Sequence, residues 1–99
     1  MDKKDVINKL IQYKALLSSY FELEKLILFG SFAKGTNSDD SDIDVAIVVK
    51  KLDEDYFTDT PLFWKLRRQI DERIEPVIFE KGKDESGFLS EIMNSGIEI

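Results

Sequence analysis

Two aspartates one residue apart, Asp42 and Asp44, stand at the mouth of an apolar run, and the pair Gly30-Ser31 stands ten residues before them. Side chains two apart in an extended chain share a face. Asp42 and Asp44 therefore project together and can share divalent cations, because carboxylate oxygens are the ligands that hard cations take. Gly30 ends a second apolar run, Leu26-Ile27-Leu28-Phe29, and lets it turn sharply without a Cβ clash. Ser31 then sits where a short helical turn can begin. The first N–H groups of such a turn have no intrahelical acceptor and suit an anion. One end of the stretch is fitted to phosphate, the other to the metal that phosphate carries.

Two other motifs share pieces of this stretch. Gly30 to Gly35 has the glycine spacing of a P-loop, but Thr36-Asn37 follows where Lys-Ser/Thr is required. Asp40, Asp42 and Asp44 match the start of an EF-hand loop, but Val45 replaces the glycine and Lys51 the bidentate glutamate. Both fail at the residues that carry their mechanism. Asp39 and Asp40 are then loop acids.

Gly-Ser, a spacer of this length and Asp-x-Asp in a hydrophobic strand together resemble the signature of the DNA polymerase beta-type nucleotidyltransferases. The short chain is similar to the smallest of them, the minimal nucleotidyltransferases often paired with HEPN-domain toxins. The resemblance implies transfer of a nucleoside monophosphate, with ATP the expected donor, by in-line displacement at the α-phosphorus. Two Mg²⁺ ions roughly 3.5–4 Å apart serve such reactions. It implies Asp42 and Asp44 as metal ligands. Gly30 and Ser31 would hold the β- and γ-phosphates, and Lys34 stands where the family often has a basic residue. A third carboxylate on a neighbouring strand would complete the site and accept the proton of the incoming hydroxyl. Glu75 is the candidate. The family most often has aspartate there, so Glu75-Pro76 is a departure. The implied acceptor is a partner-protein hydroxyl, and the implied partner a HEPN-domain toxin with this chain as antitoxin.

The elements that must position these residues are legible as patterns. Val6, Leu10, Tyr13, Leu17 and Tyr20 recur at helical spacing from about Asp5 to Phe21, with Ile7 and Ile11 widening the stripe and Asp5 or Asp2 as cap. Strands are expected at about Lys25–Phe29, Asp42–Val49 and Arg73–Phe79. Ile43, Val45, Ile47 and Val49 should pack on helices, while Ala46 and Val48 continue the aspartate face. Glu75, Val77 and Phe79 share a face, and Pro76 places its strand at a sheet edge. Thr60-Pro61 is expected to open a helix running to about Glu72. A last helix is expected from about Glu85 to Met93, closed by Asn94 or Gly96, with Ile97–Ile99 a short strand or a free end. The fold class is α+β: a small mixed sheet with helices packed mainly on one face, one domain over residues 1–99. Trp64, Tyr56 and Phe57 are read as core aromatics before base-stacking ones. Arg67 and Arg68 are read as phosphate or partner contacts, or as ion pairs with Asp71, Glu72 or the acidic connector.

Composition excludes several classes. The chain has 99 residues, no cysteine and no histidine, so disulfide, thiolate, common zinc and His-base chemistry are ruled out. A net charge of −6 argues against direct nucleic-acid binding. No apolar run reaches the roughly 18–20 residues of a membrane span, and the charged start is not a signal peptide. A cytoplasmic setting is expected, and a homo-oligomer is left open. The second acidic cluster, Asp53-Glu54-Asp55-Asp59, reads as a solvated loop. Two other functions remain: a module that neutralises a partner by contact alone, and a small-molecule (antibiotic) nucleotidyltransferase, which would need an added domain to grip its acceptor.

Overall fold

Alternation of apolar and polar residues dictates the sheet, and the computed structural model shows it built from four strands. It describes residues 2–51, 56–84 and 86–99, with the backbone alone for 56–60. The elements run α1 (Lys3–Ser18), β1 (Leu23–Phe29), α2 (Ser31–Lys34), β2 (Ile43–Val49), α3 (Tyr56–Arg67), β3 (Ile74–Glu80), α4 (Phe88–Ser95) and β4 (Ile97–Glu98). The sheet order is β3-β2-β1-β4. β1 pairs antiparallel with β2 and β4, and β2 pairs parallel with β3 through the α3 crossover. The sheet is mixed and the class is α+β, as expected.

The two faces of β2 divide the core. Ile43, Val45, Ile47 and Val49 join Val6, Leu10, Tyr13 and Leu17 of α1 and Phe63 and Leu66 of α3 in the main cluster. Phe32 of α2 is buried in the same cluster, which fixes the short turn that follows β1. Tyr13 donates a 2.8 Å hydrogen bond to the Phe63 carbonyl and ties α1 to α3. On the opposite face, Ala46 and Val48 pack with Ile27 and with Leu89 and Ile92 of α4. Three helices thus lie on one face, and α4 packs on the aspartate face, over the residues that follow Asp44.

Several details depart from the sequence patterns. α1 is capped by Asp2, whose side chain accepts from the Asp5 N–H at 2.9 Å. It ends before Tyr20, which is exposed, and Ile11 also faces solvent. α3 begins at Tyr56, so Pro61 lies inside the helix instead of opening it. A proline there has no N–H to give to the preceding turn, and the helix forms around that missing bond. α4 starts at Phe88, later than expected. Gly87 precedes it at φ 74°, and Asp84 accepts from the Leu89 and Ser90 N–H groups at 3.0 Å each. Gly96 follows its last turn because a Cβ there would meet the Leu28 carbonyl at 2.8 Å. The chain then continues as β4, whose Ile97 and Glu98 pair with Leu28 and Ile27. β3 is an edge strand, which suits Pro76. Thr60 likewise lies within α3 and not at its start, while the side chains of the second acidic cluster, of Tyr56 and of Phe57 lie outside the described residues.

Candidate active site

The site begins where β1 ends. Gly30 has φ 74° and ψ −152°, a conformation essentially confined to glycine. The Asp44 side chain lies directly against it: a Cβ at position 30 would overlap Asp44 Oδ2 and stand 3.1 Å from its Cγ. Gly30 is therefore required twice, for its backbone angles and for the space Asp44 fills. Ser31 opens α2 and is half-buried. Gly35, in the left-handed region, closes the turn by donating its N–H to the Ser31 carbonyl. Lys34, the last residue of α2, is exposed.

A second turn delivers the aspartates. The Ser38 N–H donates to Ser41 Oγ at 2.8 Å, and the Ser41 N–H to the Ser38 carbonyl at 3.2 Å. This closes the polar loop immediately before Asp42. The Ile43 N–H then donates to the Arg73 carbonyl at 2.8 Å, starting the β2–β3 ladder beside the acids. Register does the rest. Phe29, Asp44 and Glu75 lie opposite one another across β1, β2 and β3. Residues directly opposite project from the same face, so Glu75 joins Asp44 there. Asp42, just outside the strand, is exposed.

The three acids feel one another. Partial burial raises the Asp44 carboxyl above its usual value, and the negative charge of Asp42 adds to the rise. Burial also raises Glu75, followed by the charges of Asp42 and Asp44 and a side-chain hydrogen bond to Asp42, while Arg67 opposes them. The structure thus sets Asp44 and Glu75 opposite each other on one face, with Asp44 against Gly30 and Asp42 near enough for its charge to reach both acids. Asp39 and Asp40 remain exposed loop residues.

These acids fit a divalent cation in donor chemistry and in charge, since clustered carboxylates repel one another until a cation joins them. Among the described residues no group of three acidic side chains stands so that it could hold a metal ion by itself. Mg²⁺ does not need one: it is usually held by one or two carboxylates together with substrate phosphates. The arrangement suits an ion that arrives with a nucleotide.

Two residues take roles the sequence pattern did not give them. Arg67 donates from Nη1 to the carbonyls of Glu72 and Ile74, at 2.6 and 2.8 Å. It clamps the corner between α3 and β3, and so sets where Glu75 begins. Its guanidinium lies 4.7 Å from the ring centre of Trp64, which is 40% exposed and not a core aromatic. Both carbonyls lie beyond the end of α3, so no pattern along the helix points to the clamp. A groove of about 240 Å³ near Val48, Leu89 and Met93 lies at the other end of the face, away from the acids.

Comparison with known proteins gives the family. The family described as polymerase beta, nucleotidyltransferase, matches residues 10–99. A protein of Methanocaldococcus jannaschii named "putative protein adenylyltransferase" is 29% identical over 101 residues, covering 96% of this chain and 99% of its own. A crystal structure of a "putative nucleotidyltransferase" from Sulfolobus solfataricus shares the fold, with a TM-score of 0.58 at 22% identity over 95% of this chain and 85% of that one. With nine-tenths of its length matched, the chain belongs to the polymerase beta nucleotidyltransferase family.

Proposed function

We propose that this nucleotidyltransferase moves AMP from ATP to a hydroxyl of a partner protein, and that Asp42, Asp44, Glu75, Gly30, Ser31 and Lys34 form its site. The observation that carries the reading is the shared face of Asp44 and Glu75, with the Asp42 charge felt by both and Gly30 packed on Asp44. The turn at Gly30-Ser31 seats the β- and γ-phosphates, with Lys34 at its far end. Mg²⁺ held by Asp42, Asp44 and Glu75 would supply the positive charge that the attacking and leaving oxygens need. Glu75 takes the proton of the incoming hydroxyl, a task for which a carboxyl raised above its usual value is better matched to neutral pH. The acceptor oxygen bonds to the α-phosphorus as the bond to the bridging oxygen breaks, and pyrophosphate leaves.

The name of the M. jannaschii relative supports a protein acceptor. The partner follows from the resemblance read in the sequence: a HEPN-domain toxin in the cytoplasm, which this chain neutralises as antitoxin. Incubating the purified protein with labelled ATP, Mg²⁺ and the candidate partner should label the partner, and Asp42→Asn should not. No label from a folded sample, with Asp42→Asn indistinguishable from wild type, would overturn the proposal.

A second reading, neutralisation by contact alone, draws on the Glu75-Pro76 departure and on the lack of a closed three-acid set among the described residues. Asp44→Asn separates the two in a toxicity rescue: a contact module keeps its protection and an enzyme loses it.

A further inference from the structure

The aspartate face carries an aromatic ring that the proposed chemistry does not use. Phe88, the first residue of α4, is 42% exposed, although its neighbours Leu89 and Ile92 are buried. Its ring lies 6.0 Å from that of Phe29 at an interplanar angle of 90°, and 5.9 Å from that of Phe79 at 63°. Neither contact is a parallel stack. Phe29 is the register partner of Asp44, and Phe79 is the partner of Val48. A ring touching both lies between those rows. Two residues along a strand advance roughly 6.6 Å, so Phe88 stands one step behind the carboxylates. Its position is also fixed: Asp84 holds the start of α4 by accepting from Leu89 N–H, Ser90 N–H and Ser90 Oγ.

We infer that Phe88 is the platform on which the nucleobase of the bound nucleoside triphosphate stacks. The inference rests on the proposed nucleotide site. With the triphosphate on the turn after Gly30 and its α-phosphorus at the acids, the ribose spans the step to the next row and brings the base to the ring. An aromatic face takes any base but favours purines, whose larger π-surface makes the stronger stack. Phe88 therefore adds affinity for the base to that of the phosphates, and Phe29 and Phe79 hold its ring upright.

Inorganic triphosphate, which has phosphates and no base, isolates the effect. Titration calorimetry with Mg²⁺ should show wild type binding ATP more tightly than triphosphate. Phe88→Leu, which keeps the apolar packing, should weaken ATP about tenfold, the loss of one base–aromatic stack, and leave triphosphate unchanged. Phe88→Trp should bind ATP at least as well as wild type. Equal loss of ATP and triphosphate in Phe88→Leu, or no loss of ATP, overturns the platform and leaves the nucleotide site standing. Wild type that binds neither ligand overturns the nucleotide site itself, and the platform with it.

Discussion

Asp44 and Glu75 show what assembling acids costs a small protein. Both carboxyls are raised above their usual values by burial and by neighbouring negative charge. The folded state therefore holds their protons more tightly than the unfolded chain. The stability this contributes is present at low pH and is lost as pH rises through the raised values, above the usual carboxylate range. Glu75→Gln and Asp44→Asn should accordingly raise the urea midpoint at pH 7–8, and the gain over wild type should shrink towards pH 4. Glu75→Gln should also lower nucleotidyl transfer by roughly 10²–10⁴, the usual loss when a positioned acid–base group is removed, and Asp44→Asn should lower it by weakening the hold on the cation. A variant both more stable and inactive marks a functional cluster; a less stable one would point to a structural role. Gly30→Ala should fail on both counts. The added methyl collides with Asp44 and the backbone leaves its glycine-only region, so unfolding should show a loss of about 1–3 kcal/mol and transfer should vanish.

At the scale of elements, the corner between α3 and β3 positions Glu75, and an ion cluster braces it. Lys9 of α1 reaches Asp71 at 2.7 Å, and Arg73 reaches the same carboxylate at 2.9 Å. Although burial alone would raise it, the Lys9 and Arg73 hydrogen bonds hold the Asp71 carboxyl at about 2. That stability is fully present above the unfolded value near 4 and is lost as pH falls towards 2. Asp71→Asn should cost about 1–2 kcal/mol at pH 7, allowing for the screening of a partly exposed lysine, and its urea midpoint should meet that of wild type near pH 2. Little of this corner was legible in the sequence. Ile43-Asp44-Val45 announced both its strand and its face, because period-2 alternation is a local property. The edge position of β3 was equally legible, since Pro76 cannot donate to a central ladder. Arg67 was not: its partners are backbone carbonyls five and seven residues on, and backbone groups leave no mark on composition. Pro61 misled for a related reason. Proline suits a first helical turn, yet the backbone already runs helical from Tyr56. Phe88 lies in the stretch expected to form the last helix, and only the register of three strands places it beside the acids.

At the scale of the whole molecule, the sheet keeps two different faces. One is packed with α1 and α3 into the main core, and the other carries α4 with the acids next to it. Among the described residues no helix is long and apolar enough to cross a membrane. The chain bears a net charge of −6, so any salt relieves some self-repulsion, and a divalent ion does so with or without a site. A specific site is distinguished by saturation and by its dependence on the acids. A ligand that binds only the folded state stabilises it by RT ln(1 + [L]/Kd), about 2.7 kcal/mol at a hundredfold excess over Kd. In buffers matched for ionic strength with NaCl, Mg²⁺ with a non-hydrolysable ATP analogue should therefore raise the melting temperature of wild type by several degrees. EDTA should reverse the shift. Asp44→Asn should stay flat at its own, higher baseline, because it has lost the charge that both burdens the free protein and holds the ion. Equal shifts in the two proteins would mean that the cation acts on net charge alone, and the carboxylate cluster would then hold no metal.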